Sequence, residues 1–289
     1  MKARYVNPYT DFGFKKLFGE EGNKNLLVDF LNELLPREHK IMELSFKNQE
    51  QLGTTVEERK AIFDIHCKNS RGERFIVEMQ KAKLKFFKDR TVFYATFPIR
   101  EQAEKGEWDF KLNPVYCVAI LDFIFDDDRE LKECISMVQF KDQFCQVFYK
   151  NLTFIFIEMP RFTKLEHELK THFDKWLYFF KNLENFEDIP EILNEEVFVQ
   201  GFLTAELSNF DAKQLAAYEE SLKVYRDLKG VIDNSFEEGK IKGKIEGKIE
   251  GKIEGKTEKA LETANKMRAK GYSVTEIMEL TGLSQQELE

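Results

Sequence analysis

The segment FDIHCKNSRGERFIVEMQ, residues 63–80, decides the fold of this chain. It reads as two short apolar strands joined by a turn, and each strand contains one acid, Asp64 in the first and Glu78 in the second. Side chains alternate faces along a strand, so the register of the turn decides whether the two acids meet. If residues 70–72 form a three-residue loop, with Gly72 in the left-handed conformation that glycine favours, Asp64 lies directly opposite Glu78. A loop of two or four residues would place the acids on opposite faces of the sheet.

Two directly opposed carboxylates would be an unusual feature of a buried hairpin. Their Cβ atoms would be about 4.5–5.5 Å apart, and at that separation each charge raises the pKa of the other unless a cation lies between them. Mg²⁺ prefers oxygen ligands and accepts two carboxylates together with waters and phosphate, so Asp64, Glu78 and the backbone carbonyl of Met79 form a candidate metal site. Alternatively, each acid pairs with a nearby base on an open sheet face. The bases close enough in sequence are Arg59, Lys60 and Arg74. The spacing alone supports both interpretations.

The composition is that of a globular protein with a large core. The chain has 289 residues, 42% of them hydrophobic and 28 of them Phe, so it can fold without disulfides or a structural metal. A net charge of -8 excludes binding of nucleic acid through a blanket of positive charge, so any such contact must be local or mediated by a metal. The four cysteines (Cys67, Cys117, Cys134 and Cys145) are widely spaced, which predicts free thiols in a core. Because no signal-like or membrane-spanning apolar run occurs, we expect a cytoplasmic protein that does not enter a membrane.

The elements around the hairpin follow the order α, β, β, β, α, β. Helical patterns cover residues 10–19, 22–36 and about 83–105, and strand patterns cover 41–46 and 114–125. Pro36 stops the second helix, and the apolar run 114–125 is typical of a strand covered on both faces. Two further strands, 134–140 and 152–159, extend the sheet, and residues 164–229 are helical in pattern. We therefore predict an α/β fold in which the sheet comes first and a helical region follows it.

The C-terminal region contains a repeat of four residues, GKIKGKIEGKIEGKIEGKTE, at positions 239–258. Like charges four residues apart repel each other on a helix, and each glycine weakens it, so a solvated linker is one interpretation. The other is a self-associating helix in which glycine allows close approach, with a right-handed supercoil because four exceeds 3.6. Residues 259–289 predict short helices with capping boxes at Ser273/Glu276 and Ser284/Glu287. This tail is either helix-turn-helix-like or an ordinary helical end.

The ordered set of elements, with Asp on the second strand and Glu-x-Gln on the third, resembles the PD-(D/E)xK nuclease superfamily. It is most similar to the branch of recombination-promoting nucleases and transposase-family proteins. Further matches to this branch are the opening TDFGFKKLFG, the segment KDRTVFYAT with Arg90 and Tyr94 one helical turn apart, and the GK-rich tail. The resemblance implies a restriction-endonuclease-like core with a mixed sheet. The expected domains are 1–160 (nuclease-like), 161–238 (helical extension), 239–258 (repeat) and 259–289 (tail).

The resemblance also implies hydrolysis of DNA phosphodiesters with Mg²⁺ or Mn²⁺. Asp64 and Glu78 would hold the ion, which polarises the phosphoryl oxygen and lowers the pKa of a bound water. Gln80 departs from the usual lysine; an amide is not a base near neutral pH, so it would orient the attacking water or the phosphate. Asp11 resembles the acid of the first helix that assists the metal site in related nucleases, although Asp or Thr at this position also fits a helix cap.

The resemblance and the residues suggest several phosphate contacts. The candidates are Arg90, Tyr94, Lys15 and, with less support, Lys16. A structural pair with a carboxylate is the alternative for Arg90. His66 and Lys68 share the predicted face of Asp64 and are possible assistants, although a strand histidine more often packs or hydrogen-bonds.

Three functions follow from the sequence. The first is a Mg²⁺-dependent DNA endonuclease linked to recombination or mobile elements, with DNA as partner and possible homo-oligomers through the repeat helix. The alternative is a catalytically weak or inactive DNA-binding or regulatory protein that keeps the nuclease fold. The third, a structural helical scaffold, is disfavoured by the strand-rich first half.

Overall fold

The computed structural model describes residues 3–35, 40–47, 50–51, 61–62, 64–103, 106–124 and 133–288. It divides into two compact units, Met1–Lys229 and Gly230–Glu289. The finer division into four regions expected from the sequence stays a prediction. Some positions used in the sequence-based predictions lie outside the described residues: Pro36, Arg59, Lys60 and Lys105.

The first unit contains a mixed six-stranded sheet. Its strands are β1 (Leu44–Phe46), β4 (Ile65–Asn69), β5 (Arg74–Gln80), β6 (Val115–Leu121), β7 (Ile135–Lys141) and β8 (Val147–Glu158). Their spatial order is β1-β4-β5-β6-β8-β7. The pairs β5–β6 and β6–β8 are parallel, and the remaining pairs are antiparallel. The short strands β2 (Glu50–Gln51) and β3 (Ala61–Ile62) pair separately.

Helices cover both faces of this sheet. The helices are α1 (Asp11–Phe18), α2 (Lys24–Asn32), α3 (Phe87–Arg100), α4 (His172–Asn182), α5 (Glu196–Ala205), α6 (Ala212–Ala269), α7 (Val274–Thr281) and α8 (Gln285–Leu288). Helix α3 connects β5 to β6 and packs on the face that carries Ile76 and Cys117. Helices α1, α2, α4 and α5, with the start of α6, pack on the opposite face, which carries Val77 and Met79. The α/β fold and the order αβββαβ predicted from the sequence are confirmed.

The central strand β6 explains why its sequence is a continuous apolar run. Every residue of Val115–Leu121 is buried, because the strand has a parallel neighbour on each side and helices above and below. Strands 134–140 and 152–159 do extend the sheet, but β8 lies between β6 and β7.

The hairpin β4–β5 has the register predicted from its loop. Lys68 pairs with Arg74 and Ile65 with Val77, and the amide of Asn69 donates to the carbonyl of Glu73. Gly72 has φ +86°, the left-handed conformation that closes a three-residue loop. Continuing this register by one residue places position 64 opposite position 78.

Several boundaries differ from the sequence-based expectation. Helix α3 begins at Phe87 rather than near residue 83, because residues 81–86 form a turn after β5. Helix α4 begins at His172 rather than at residue 164, because Thr171 caps it: the Thr171 hydroxyl accepts from the amide of Asp174, whose carboxylate accepts from the amide of Thr171.

The second unit contains the repeat, which adopts the helical alternative. Residues 239–258 belong to α6, which runs without interruption from Ala212 to Ala269. A small apolar cluster around Ala264 and Ile277 joins the end of α6 to α7 and α8. The capping box of Ser273 and Glu276 is formed, and Glu287 accepts from both the amide and the hydroxyl of Ser284.

All four cysteines are free thiols. Cys67 and Cys117 are buried as expected, whereas Cys134 is half-buried and Cys145 is exposed, so the prediction of a core position is wrong for Cys145. Its place in the turn between β7 and β8 keeps it out of the core. Within the part of the chain that is described, we find no helix with the length and apolarity needed to span a bilayer.

Candidate metal and nucleic-acid site

Glu78 lies near the end of β5, on the face that packs against α3. Only 8% of its surface is exposed, and its neighbours on this face include Ile76, Cys117 and Ala119. Burial is the largest cause that raises the pKa of Glu78 to about 8; the Asp64 charge raises it further and Arg90 lowers it. Among the described residues, Glu78 Oε1 has no hydrogen-bond partner. The carboxylate is therefore costly to ionise, and the charge of Arg90 offsets only part of that cost.

Asp64 lies at a bend just before β4, where the ladder of the hairpin ends. Its Oδ2 accepts a hydrogen bond of 2.8 Å from the amide of Met79. The Asp64 side chain thus accepts a hydrogen bond from β5 beyond Ile65–Val77, the last backbone pair of the hairpin. Burial raises the pKa of Asp64, and the nearby charge of Asp11 raises it too, while the Met79 amide, Lys15 and Lys81 oppose the rise. Asp64 and Glu78 consequently share one electrostatic site.

The donor set fits a hard divalent cation. No group of three or more His, Cys, Asp or Glu side chains in the described ranges could hold a metal ion. Mg²⁺, however, keeps several waters and is usually held by one or two carboxylates plus substrate phosphate. The half-buried Asp64, the buried Glu78 with one unpartnered oxygen among the described residues, and the Met79 carbonyl suit that mode.

Helix α1 brings a third acid, Asp11, to this site. Thr10 is the cap of α1, since its hydroxyl accepts from the amide of Gly13 at 2.9 Å. Asp11 is therefore not needed as the cap; it pairs with Lys15 one turn later at 3.0 Å and acts electrostatically on Asp64. The predicted cap role thus belongs to Thr10, and a supporting role for Asp11 at the site stays a prediction.

Lys81 is a candidate site residue that the sequence-based prediction missed. It directly follows β5, and both Asp64 and Asp11 act on it electrostatically. Burial is the main cause that lowers the pKa of Lys81, and these two acids raise it. A signal was present, because Lys81 comes immediately after the Glu-x-Gln motif. Alternation along a continued strand would have placed it on the opposite face from Glu78, but β5 ends at Gln80.

Gln80 is the last residue of β5, and its amide nitrogen is already bound. Nε2 donates to the carbonyl of Ala82 at 3.0 Å and so holds the turn that follows the strand. This bond uses one of the two N–H donors of the amide, and the Gln80 oxygen is the group that could accept a hydrogen bond from water.

Arg90 and Tyr94 lie one turn apart on α3 and face Glu78. Arg90 Nη2 is 3.7 Å from Glu78 Oε2, and its guanidinium carbon is 4.9 Å from the centre of the Tyr94 ring. Arg90 Nε is buried and has no hydrogen-bond partner among the described residues. This geometry suits the carboxylate pair, and it also leaves a donor for a phosphate.

The remaining candidate site residues differ in whether they act on Asp64 and Glu78 or on other residues. Lys15 acts on Asp64 electrostatically, whereas Lys16 pairs with Glu20 at 3.0 Å. Arg74, one of the bases considered as a partner for the acids, instead lies 3.8 Å from Glu101. His66 and Lys68 also have neighbours other than the two acids Asp64 and Glu78. His66 is fully buried with Nε2 3.8 Å from a Glu101 oxygen, and Lys68 pairs with Arg74 across the hairpin. Their assistance to the acids stays a prediction.

A cleft of about 470 Å³ adjoins the site at the carboxyl ends of the parallel strands. Its wall includes Tyr9, Asp122 and Tyr225, and its basic residues are Lys181, Arg226 and Lys229. The Asp122 amide donates to the Gln80 carbonyl, and the Tyr225 hydroxyl donates to the Asp122 carboxylate at 3.1 Å. In open α/β sheets, ligands bind in crevices of this kind, outside the carboxyl ends of the strands.

A mixed sheet of this topology with two acids on a β-hairpin defines a nuclease-like α/β class. The family model described as PD-(D/E)XK nuclease family transposase matches residues 8–235. The chain therefore belongs to the PD-(D/E)XK nuclease family transposases, as the sequence resemblance suggested. Members of the PD-(D/E)xK nucleases generally use divalent metals. Comparison with curated proteins and with solved structures gave no match.

Proposed function

We propose that this protein is a DNA endonuclease that hydrolyses phosphodiester bonds with Mg²⁺, or with Mn²⁺ in its place. The observation that carries the proposal is the electrostatic effect of Asp64 on Glu78 at the end of the hairpin, with Glu78 Oε1 buried and unpartnered among the described residues. A divalent ion there would remove the cost of burying two carboxylates and bring a phosphate to the same place.

The chain's own residues have separate roles in this proposal. Asp64, Glu78 and the Met79 carbonyl would hold the ion, which supplies polarisation of the phosphoryl oxygen and a lowered pKa of its water. Gln80 accepts a hydrogen bond from the attacking water and so orients it. Lys81, whose positive charge is supported by Asp11 and Asp64, donates to the phosphate.

Arg90 and Lys15 extend the same site towards the phosphate backbone. Arg90 donates to a non-bridging oxygen of the phosphate, and Tyr94, beneath its guanidinium, keeps the group in place. Lys15 contributes a second positive charge. The DNA strand would continue into the adjoining cleft, where Arg226 and Lys229 meet its phosphates.

Nicking of supercoiled plasmid tests the proposal. Wild type should nick with Mg²⁺ and not with EDTA, and Asp64→Asn and Glu78→Gln should each lose nicking by two orders of magnitude or more. Lys223→Ala, an exposed residue on α6 outside the cleft lining, is the matched control and should nick like wild type. Equal nicking by wild type and both acid variants would show that another protein, or another site, cuts the plasmid.

A DNA-binding or regulatory protein without catalysis is the second candidate. It is favoured by the bond that commits the Gln80 amide nitrogen to Ala82, by the lack of a lysine at position 80, and by the net charge of -8. For this candidate, wild type would bind DNA in the presence of Mg²⁺ yet leave the plasmid intact.

We also propose that the chain acts in recombination or in the movement of mobile elements and that it self-associates through the repeat helix.

A further inference from the structure

The repeat helix carries an exposed row of isoleucines. Ile241, Ile245, Ile249 and Ile253 recur every fourth residue of α6 and are 54–59% exposed. A Cβ added to any glycine of the repeat would meet no described atom within 4 Å. Four large apolar side chains in one row make a surface that a second helix can cover.

The charges of the repeat lie on two separate sides of this row. Successive residues on a helix are about 100° apart, so the Lys before each Ile lies on one flank and the Glu after it on the other. The glycines lie about 200° from the isoleucines, on the opposite side. The Lys row consists of Lys240, Lys244, Lys248 and Lys252, and the Glu row consists of Glu246, Glu250 and Glu254.

Most of these charges have no opposite charge at helical spacing within their own helix. Residues three and four apart are neighbours on a helix surface. Lys248 has Lys at both fourth positions and Ile or Gly at both third positions, and Glu250 has Glu, Ile and Gly at the corresponding places. The start of the repeat differs, because Lys240 lies 3.7 Å from Glu237 and Lys242 lies 3.9 Å from Glu246. A second helix with complementary rows would give these charges the opposite charges that their own helix lacks.

Two identical helices that meet through their Ile rows satisfy these charges in one orientation only. With a two-fold axis parallel to the helices, the Lys flank of one copy faces the Glu flank of the other. With the helices antiparallel, the axis brings Lys rows together on one side and Glu rows together on the other, which is repulsive. We propose that the repeat helix pairs with a second copy of this chain in parallel. The inference rests on the self-association proposed above and is independent of the nuclease activity.

The ridge geometry suits such a pair. Isoleucines four residues apart form an inclined ridge, and two ridges of this kind pack with the helices crossed. Because the row repeats every four residues rather than every 3.6, the pair should wind right-handedly. The Ile row from 241 to 253 is about 18 Å long, enough for several interlocking layers.

Disulfide trapping tests the orientation in the full-length chain. The exposed Cys145 is first changed to Ser, and Ile241→Cys or Ile253→Cys is added to that background. In a parallel pair, each variant links to itself on mild oxidation, and an equimolar mixture yields few 241–253 links. In an antiparallel pair, the mixture links through 241–253 and each variant alone links poorly, which would overturn the proposal. The Cys145→Ser chain without an added cysteine is the control for background linking.

The molar mass in solution, from light scattering, separates the remaining outcomes. Wild type should have twice the mass of one chain, and Ile245→Lys with Ile249→Lys should reduce it to that of one chain. Gly247→Ala with Gly251→Ala, on the opposite side of the helix, should leave the pair intact. Loss of the pair in the alanine variant would place the glycines in the interface and overturn the arrangement. A wild type that is monomeric would overturn both self-association and orientation, while plasmid nicking would still decide the nuclease proposal.

Discussion

Replacing Glu78 by glutamine should make the metal-free protein more stable at high pH. The folded protein raises the pKa of Glu78 from 4.5 to about 8, mainly through burial and then through the charge of Asp64. Between these two values the folded state holds a proton that the unfolded state has released, so stability falls as pH rises. A shift of about 3.5 units corresponds to about 5 kcal/mol at full ionisation. Glutamine fills nearly the same volume and removes this loss.

The assay is urea unfolding of wild type and Glu78→Gln in EDTA at several pH values, followed by far-UV circular dichroism. The two proteins should have similar free energies of unfolding at pH 5, and the variant should become more stable than wild type by several kcal/mol as pH rises from 5 to 8, with little further change above 8. Glu219→Gln, an exposed change on α6, is the matched control and should follow wild type at every pH.

Mg²⁺ should stabilise wild type more than the Glu78→Gln variant. It binds the ionised carboxylates of wild type, so it should restore wild-type stability at high pH, by about 2.7 kcal/mol at a hundredfold excess over Kd. The variant should gain much less. Parallel curves of stability against pH for wild type and Glu78→Gln, with equal responses to Mg²⁺, would refute the reasoning. Such curves would mean that folding does not raise the pKa of Glu78 and that Glu78 does not bind the metal.

Three further predictions follow from individual contacts. Gly72→Ala should lower the free energy of unfolding by about 1–2 kcal/mol, because alanine is strained at φ +86° and its Cβ would lie 3.0 Å from the Asn113 side chain. Urea unfolding measures this loss, and an unchanged midpoint would contradict the prediction. Lys81→Met should slow plasmid nicking by about tenfold or more while leaving the fold intact; a rate equal to that of Lys223→Ala would remove Lys81 from the site. Arg226→Ala with Lys229→Ala should weaken DNA binding, measured by fluorescence anisotropy with Ca²⁺ in place of Mg²⁺. It should also reduce the slope of log Kd against log salt by up to about 1.8; the slope of Lys223→Ala should equal that of wild type.

The hairpin could be predicted from the sequence because its determinants are local. Gly72 sets the loop, and the loop sets the register from Lys68–Arg74 to Ile65–Val77. One further step of this register would bring position 64 opposite position 78. The buried character of β6 was likewise visible in its continuous apolar run. For the hairpin and for β6, the residue pattern of a strand and the geometry of one turn are sufficient to predict the structure.

The rest of the site depends on contacts between distant segments, which local patterns do not encode. The cleft joins Tyr9, Asp122 and Tyr225 from three separate parts of the chain. The turn that brings Lys81 back towards Asp64 depends on where β5 ends, and strand ends are the least predictable feature of a sequence. The repeat was ambiguous for a different reason, since its helix propensity is low while its apolar row requires a helix.

At the proposed metal site, the acids would link the stability of this protein to the binding of a cation. A cost of about 5 kcal/mol for ionising Glu78 is comparable to the whole free energy of unfolding of many domains. At neutral pH the metal-free site therefore favours the protonated acid, and a divalent ion must displace that proton to bind. An amide at position 78 would fill the same space without this cost, but it would offer no negative charge. A carboxylate at position 78 therefore suits a site that holds a cation. Its negative charge repels the phosphate of a nucleic acid until a bound cation has neutralised that charge.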